Sequence, residues 1–139
     1  MKLLLDLNIL LDVVLEREPF VTDAVAVCRE CAAGRATGYV AGISFPTLFY
    51  IVNKIQGSDA ARECVSLCLA SFEVCAVGRD ELELAASLVR PDFEDNVQIA
   101  VAVKSGMDFI ITRDPVGFSQ SPVKAMSPSE WLSRPVSTS

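Results

Sequence analysis

Three acidic positions stand where a short apolar run ends or a helix begins. Met1-Lys2-Leu3-Leu4-Leu5 runs into Asp6, and Phe109-Ile110-Ile111-Thr112-Arg113 runs into Asp114. Between them, Pro91-Asp92-Phe93-Glu94-Asp95 opens a helix-like stretch. β-prone runs that finish in a carboxylate suggest parallel strands delivering ligands to one edge of a sheet. In open α/β sheets, ligands bind beyond the carboxyl ends of the strands. Carboxylates gathered without basic neighbours repel one another, and a hard divalent cation relieves that repulsion. The chemistry to test is therefore metal-assisted.

Composition narrows the alternatives. The chain has no histidine, which removes Ser-His and Cys-His nucleophile pairs and paired-histidine cleavage of RNA. Hydrolysis here needs carboxylates, metal or lysine. A net charge of −6 argues against a protein that coats nucleic acid through a basic face. It leaves room for an enzyme that meets nucleic acid through bound cations.

The five cysteines are Cys28, Cys31, Cys64, Cys68 and Cys75. An odd count without a secretory leader points to a reducing compartment, and the expected location is the cytoplasm. Four thiolates at these spacings admit a tetrahedral zinc. The stronger reading is that both pairs mark buried faces of helices. No apolar run is long enough for a membrane span.

The elements that must position the acids follow from periodicity and punctuation. Residues 2–6 read as a buried strand and 8–16 as a short helix. A second helix starts at Pro19 and stops at Gly34. Residues 38–41 form a second strand. Ser44 is expected to cap a helix over 45–55, which Gly57 and Ser58 break. Helix 59–70, strand 73–77 and helix 80–89 follow. Asp92 caps a helix that ends near Gly106. Residues 109–112 and 123–126 are strands, and Pro128 opens a last turn carrying Trp131. Strands separated by helices predict a parallel sheet covered on both faces. Length and continuity predict one domain over 1–134, with a disordered tail at 135–139.

Each acid also has an ordinary structural reading. Asp6 could cap the next helix, Asp114 could belong to a turn, and Asp92, Glu94 and Asp95 suit the positive end of a helix dipole. Helical periodicity sets Asp92 and Asn96 near the apolar face and Asp95 on its flank, which does not decide which of them faces a site. Asp12 and Asp23 read as residues of solvated helix faces.

Taken together, the pattern resembles the PIN-domain family. Asp6-Leu7-Asn8 is similar to its opening Asp-x-Asn motif. Asp92-Phe93-Glu94-Asp95-Asn96-Val97-Gln98, with Ala100 and Ala102, resembles its central helix. Thr112-Arg113-Asp114 with Phe118 resembles its closing motif, and Ser127-Pro128-Ser129-Glu130-Trp131-Leu132 the ending of one branch. The resemblance implies a three-layer α/β/α fold around a parallel sheet of four to five strands. It implies a Mg²⁺- or Mn²⁺-dependent ribonuclease, in many bacterial members a VapC-like toxin restrained by an antitoxin. Carried over by position, Asp6, Asp95 and Asp114 are the metal-binding and catalytic acids, and Asn8 and Thr112 are accessory polar groups.

One departure stands out. The family's additional acid, near the start of the helix after strand two, would align near Thr47, and that segment has no carboxylate. Glu94 or Asp92 is left to compensate, and Ser44 and Thr47 to contact metal-bound water. The rival expectation is a PIN-like module with a degraded site that acts by binding protein. A phosphate-accepting receiver domain fits less well, because the acids after Asp6 do not follow its spacing. The helix carrying Phe45, Leu48, Phe49, Tyr50 and Val52 is apolar nearly all round. It predicts either a homodimer or antitoxin interface, or burial under the neighbouring helix.

Overall fold

The computed structural model describes residues 1–135; residues 136–139, most of the expected disordered tail, lie outside the described residues. The elements in order are β1 (Lys2–Leu5), α1 (Leu7–Val14), α2 (Val21–Ala32), β2 (Thr37–Ala41), α3 (Ser44–Gln56), α4 (Ser58–Ser71), β3 (Glu73–Cys75), α5 (Arg79–Ser87), α6 (Phe93–Lys104), β4 (Phe109–Ile111), a 3₁₀ turn (Pro115–Phe118), β5 (Ala125–Met126) and α7 (Pro128–Leu132). The sheet has five strands in the order β3-β2-β1-β4-β5. Every pairing is parallel.

Side chains alternate across the strands and build a core on each face. Leu3, Leu5, Val40 and Ile111 face a layer made by α1, α2, α3 and α4, with α7 at its margin. Leu4, Ala41 and Ile110 face the other layer, made by α5 and α6. This is the expected three-layer α/β/α arrangement. The leucines of β1 are fully buried on both faces, which is why their run does not alternate with polar residues. Helix α6 is buried from Asn96 to Ala102, as a helix held between a sheet and a neighbouring helix must be.

The connection between α3 and α4 is one residue, Gly57, at φ 94°. That left-handed conformation lets α4 fold straight back on α3. Leu48 and Val52 of α3 are fully buried and pack in the same core as Ala61, Cys64 and Cys68 of α4. The apolar character of α3 is thus largely spent inside its own chain. Tyr50 and Ile55 remain exposed.

Two local expectations are corrected. Ser44 does not cap α3: it lies inside the helix, without a side-chain capping bond, and its Oγ accepts from Gln98 Nε2 at 3.2 Å. Asp12 is not on a solvated face: it is 1% exposed and ion-paired with Arg113. Among the described residues, no helix is long and apolar enough to cross a membrane. All five cysteines are free thiols; burial pushes Cys28 up to about 11 and Cys68 to about 12.

Candidate metal centre

The chain reverses direction across the sheet at β1. It builds outward through β2 and β3, then returns to lay β4 on the other side. That switch point is where an open parallel sheet leaves a crevice. Leu5 pairs with Ile111, so the next residues, Asp6 and Thr112, emerge side by side at the carboxyl edge.

Asp6 occupies the N-cap position of α1 but makes no side-chain capping bond. Its Oδ2 accepts from Thr112 Oγ1 at 2.8 Å. Asp114 precedes the 3₁₀ turn and makes no capping bond either. Asp92 does cap: its Oδ1 accepts from the Asp95 N–H at 3.1 Å. Asp92 is exposed rather than set against the apolar face, and Asp95 is half-buried. The cap at Asp92 fixes the first turn of α6 and holds Asp95 beside the sheet edge.

A pocket of about 160 Å³ opens there and is lined by Asp6, Asn8, Thr47, Asp92, Glu94 and Asp95. Ser44 and Gln98 form part of its wall. Asp114 stands beside it. A Cβ built on Gly117 would lie 3.4 Å from Asp114 Oδ2 and 3.8 Å from Asp95 Oδ2, so both carboxylates flank Gly117. Thr112 is buried behind Asp6, and its Oγ1 also accepts from the Asp114 N–H at 3.2 Å. The structure therefore brings together Asp6, Asn8, Thr47, Asp92, Glu94, Asp95, Thr112 and Asp114.

Electrostatics record the crowding. Asp95 is pushed up to about 6, by burial first and then by Asp92 and Asp6; Arg90 opposes this and Asp114 adds to it. Asp6 is also raised, mainly by burial and in part by Asp92, with the Thr112 hydroxyl, the Leu7 N–H and Arg113 pulling the other way. Arg113 points away from the pocket, onto Asp12, with its guanidinium 4.2 Å from the Phe20 ring centroid. It is an ion-pair partner that fixes the end of β4.

The donors are all hard oxygens, the chemistry suited to Mg²⁺ or Mn²⁺. Among the described residues, however, no three acidic or cysteine side chains are gathered tightly enough to hold an ion by themselves. An ion here would keep much of its water, as Mg²⁺ does when only one or two carboxylates reach it. Sequence alone assigns no role to Gln98 or Gly117. The readable signal for Gln98 is its spacing, three residues after Asp95 and four after Glu94, which puts it on their side of α6. Nothing local marks Gly117.

The family model for the PIN domain matches residues 2–115. The chain belongs to the PIN-domain family. This PIN domain is similar in fold to FitAcB from Neisseria gonorrhoeae, with a TM-score of 0.71 and 16% identity over 91% of this chain and 98% of that one. A toxin–antitoxin complex from Klebsiella pneumoniae gives 0.69 and 20%, over 90% and 96%. VapC20 of Mycobacterium tuberculosis, described as a sarcin–ricin loop cleaving toxin, gives 0.64 and 20%, over 78% and 86%. At these identities the likeness carries the fold alone. No curated protein matches the chain at a significant level.

Proposed function

We propose that this PIN domain is a divalent-metal-dependent endoribonuclease acting in the cytoplasm as the toxin of a toxin–antitoxin pair. The observation that supports the reading is that Asp6 and Asp95 line one pocket at the switch point, with Asp114 near Asp95 and with neither Asp6 nor Asp114 engaged in a side-chain capping bond. Asp6, Asp95 and Asp114 are the proposed ligands, with Asn8, Thr47, Asp92, Glu94 and Thr112 as accessory groups. Bound Mg²⁺ or Mn²⁺ would supply charge stabilisation at the scissile phosphate and acidify the attacking water. Thr112 orients the Asp6 carboxylate, and the Asp92 cap orients Asp95. Without metal Asp95 is raised to about 6, by burial first and then by Asp92 and Asp6, so a bound cation would compete with a proton for it. Water adds to phosphorus and the 3′ oxygen leaves, giving 5′-phosphate and 3′-hydroxyl ends.

The partner reading has separate support. A groove of about 760 Å³ runs between α1, α2 and α4 and shares no residue with the acidic pocket. Leu10, Val13, Val14, Val25, Leu67 and Phe72 line it. An apolar helix of a small antitoxin would suit such a trough, and the Klebsiella pneumoniae neighbour of the same fold is described as a toxin–antitoxin complex. A homodimer through α3 has less to draw on, since Tyr50 and Ile55 are the only large hydrophobic residues of that helix that are well exposed.

The deciding assay is cleavage of mixed single-stranded RNA, with Mn²⁺ or Mg²⁺ and then with chelator, by the wild type and Asp6→Asn. Metal-dependent cleavage lost in Asp6→Asn is the expected result. Cleavage equal in both sinks the site. The rival, a PIN module acting by protein binding, is favoured by the lack of a carboxylate at Thr47, and it gains if no metal condition gives cleavage.

A further inference from the structure

We propose that Arg90 grips an RNA phosphate next to the one cleaved, bringing positive charge to the rim of the acidic edge. The proposal rests on the ribonuclease reading above. Arg90 lies in the connection between α5 and α6, two residues before the Asp92 cap. Its main-chain oxygen accepts from Asn96 Nδ2 at 3.2 Å, which ties the connection to α6. Its guanidinium carbon lies 5.8 Å from the centre of the Phe118 ring, within the range of a cation–π contact. Phe118 ends the 3₁₀ turn that follows Asp114, and its neighbour Gly117 is flanked by Asp114 and Asp95. Arg90 is therefore held by the same two elements that hold those acids. Its charge is felt there: burial first, then Asp92 and Asp6, push Asp95 up, and Arg90 opposes them.

What sets Arg90 apart is that no carboxylate holds it. Arg35, Arg62, Arg79 and Arg113 each make a salt bridge, and Arg90 makes none among the described residues. Its Nε is buried, so the stem is packed in place; its two terminal nitrogens are not buried and make no hydrogen bond among the described residues. An arginine placed only to neutralise the nearby acids would reach one of them. This one rests on a ring beside them with its outer edge free. A planar guanidinium so held suits two oxygens of one phosphate. Arg90 is not part of the acidic pocket's wall, so the phosphate it meets is a neighbour of the one cleaved there.

The test is binding of a short fluorescein-labelled single-stranded RNA of mixed sequence by the full chain. It is read by fluorescence anisotropy over a series of KCl concentrations in chelator, with kcat and KM measured in Mn²⁺. Arg90→Gln should weaken binding about tenfold, as when a hydrogen bond to a charged group is lost. The plot of log affinity against log salt should become shallower by about 0.7, the value of one phosphate on a single strand. In Mn²⁺ the loss should fall on KM and leave kcat within about twofold, because the contact is the same before and during reaction. The slope is read from kcat/KM if binding in chelator is too weak to follow. Arg90→Lys keeps the charge and should keep the slope, while binding more weakly because an ammonium lacks the planar fork. It also serves if the glutamine variant fails to fold, and a changed slope in it counts against the proposal. A merely structural arginine would alter the melting temperature and leave the salt slope alone. If Arg90→Gln keeps the wild-type affinity and slope, the role of Arg90 is overturned and the ribonuclease reading stands. If the wild type neither binds nor cleaves the RNA, the ribonuclease reading fails and this proposal fails with it.

Discussion

The Thr112 hydroxyl donates to Asp6 Oδ2 at 2.8 Å and accepts from the Asp114 N–H at 3.2 Å. One buried side chain therefore ties the acid after β1 to the backbone of the acid after β4. Thr112→Val keeps the shape and removes both bonds, leaving a buried carboxylate oxygen without its donor. The expected loss is ~1–3 kcal/mol. Thr112→Ser should stay close to the wild type in stability. Urea unfolding of the two variants checks this, and equal stability would show the hydroxyl to be idle.

The Asp12–Arg113 pair makes a second, independent prediction. Arg113→Met strands a carboxylate that is 1% exposed. Removing one partner of a buried pair costs ~3–5 kcal/mol, and the 29% exposure of the Arg113 side chain sets the expectation at the lower end. The double variant Asp12→Leu with Arg113→Met should recover most of the loss. Thermal unfolding of the full cycle measures the coupling, and additive losses would contradict it.

Stability should depend on pH with a definite sign. Asp95 stands at about 6 in the folded chain, against ~3.9 for an unfolded aspartate. Between about pH 4 and pH 6 the folded state holds a proton that the unfolded state has released. Stability therefore rises as pH falls through that window. Asp6, also raised, works in the same direction. In chelator the melting temperature should be higher at about pH 5 than near neutrality, and Asp95→Asn should flatten the difference. Added Mn²⁺ should raise the melting temperature more near neutrality, where protons no longer compete. A calorimetric profile falling toward acid in chelator would refute the assignment.

The groove can be blocked without harming the fold. Leu67 lines it and is 60% exposed, so Leu67→Asp should alter stability by no more than ~0.5 kcal/mol. If the neighbouring reading frame encodes a small antitoxin-like protein, its capture should fall at least tenfold. RNA cleavage, if present, should persist and escape inhibition. Undiminished capture by the variant would move the interface elsewhere.

The sheet and its edge acids were legible because the signals are local. Leu3-Leu4-Leu5, short and followed at once by a carboxylate, reads as a strand buried on two faces, and Asp92 begins a helix by an ordinary capping rule. What misled were residues whose partners are distant in the chain. Ser44 looks like a cap until Gln98 is brought against it, and Asp12 looks solvated until Arg113 arrives from the far end of β4. Asp95 could not be told from Asp92 by periodicity, since the choice depends on which side of the first turn meets β1.

The sheet order also sets a sequence in time. Every wall of the apolar groove comes from residues 10 to 72. The acidic edge needs Asp114 beside Asp6, and thus β4 laid against β1. Chains are synthesised at ~5–20 residues per second. The residues that line the groove are therefore made some seconds before Asp114, and the acidic edge is complete only when the two ends of the domain meet across β1 and β4.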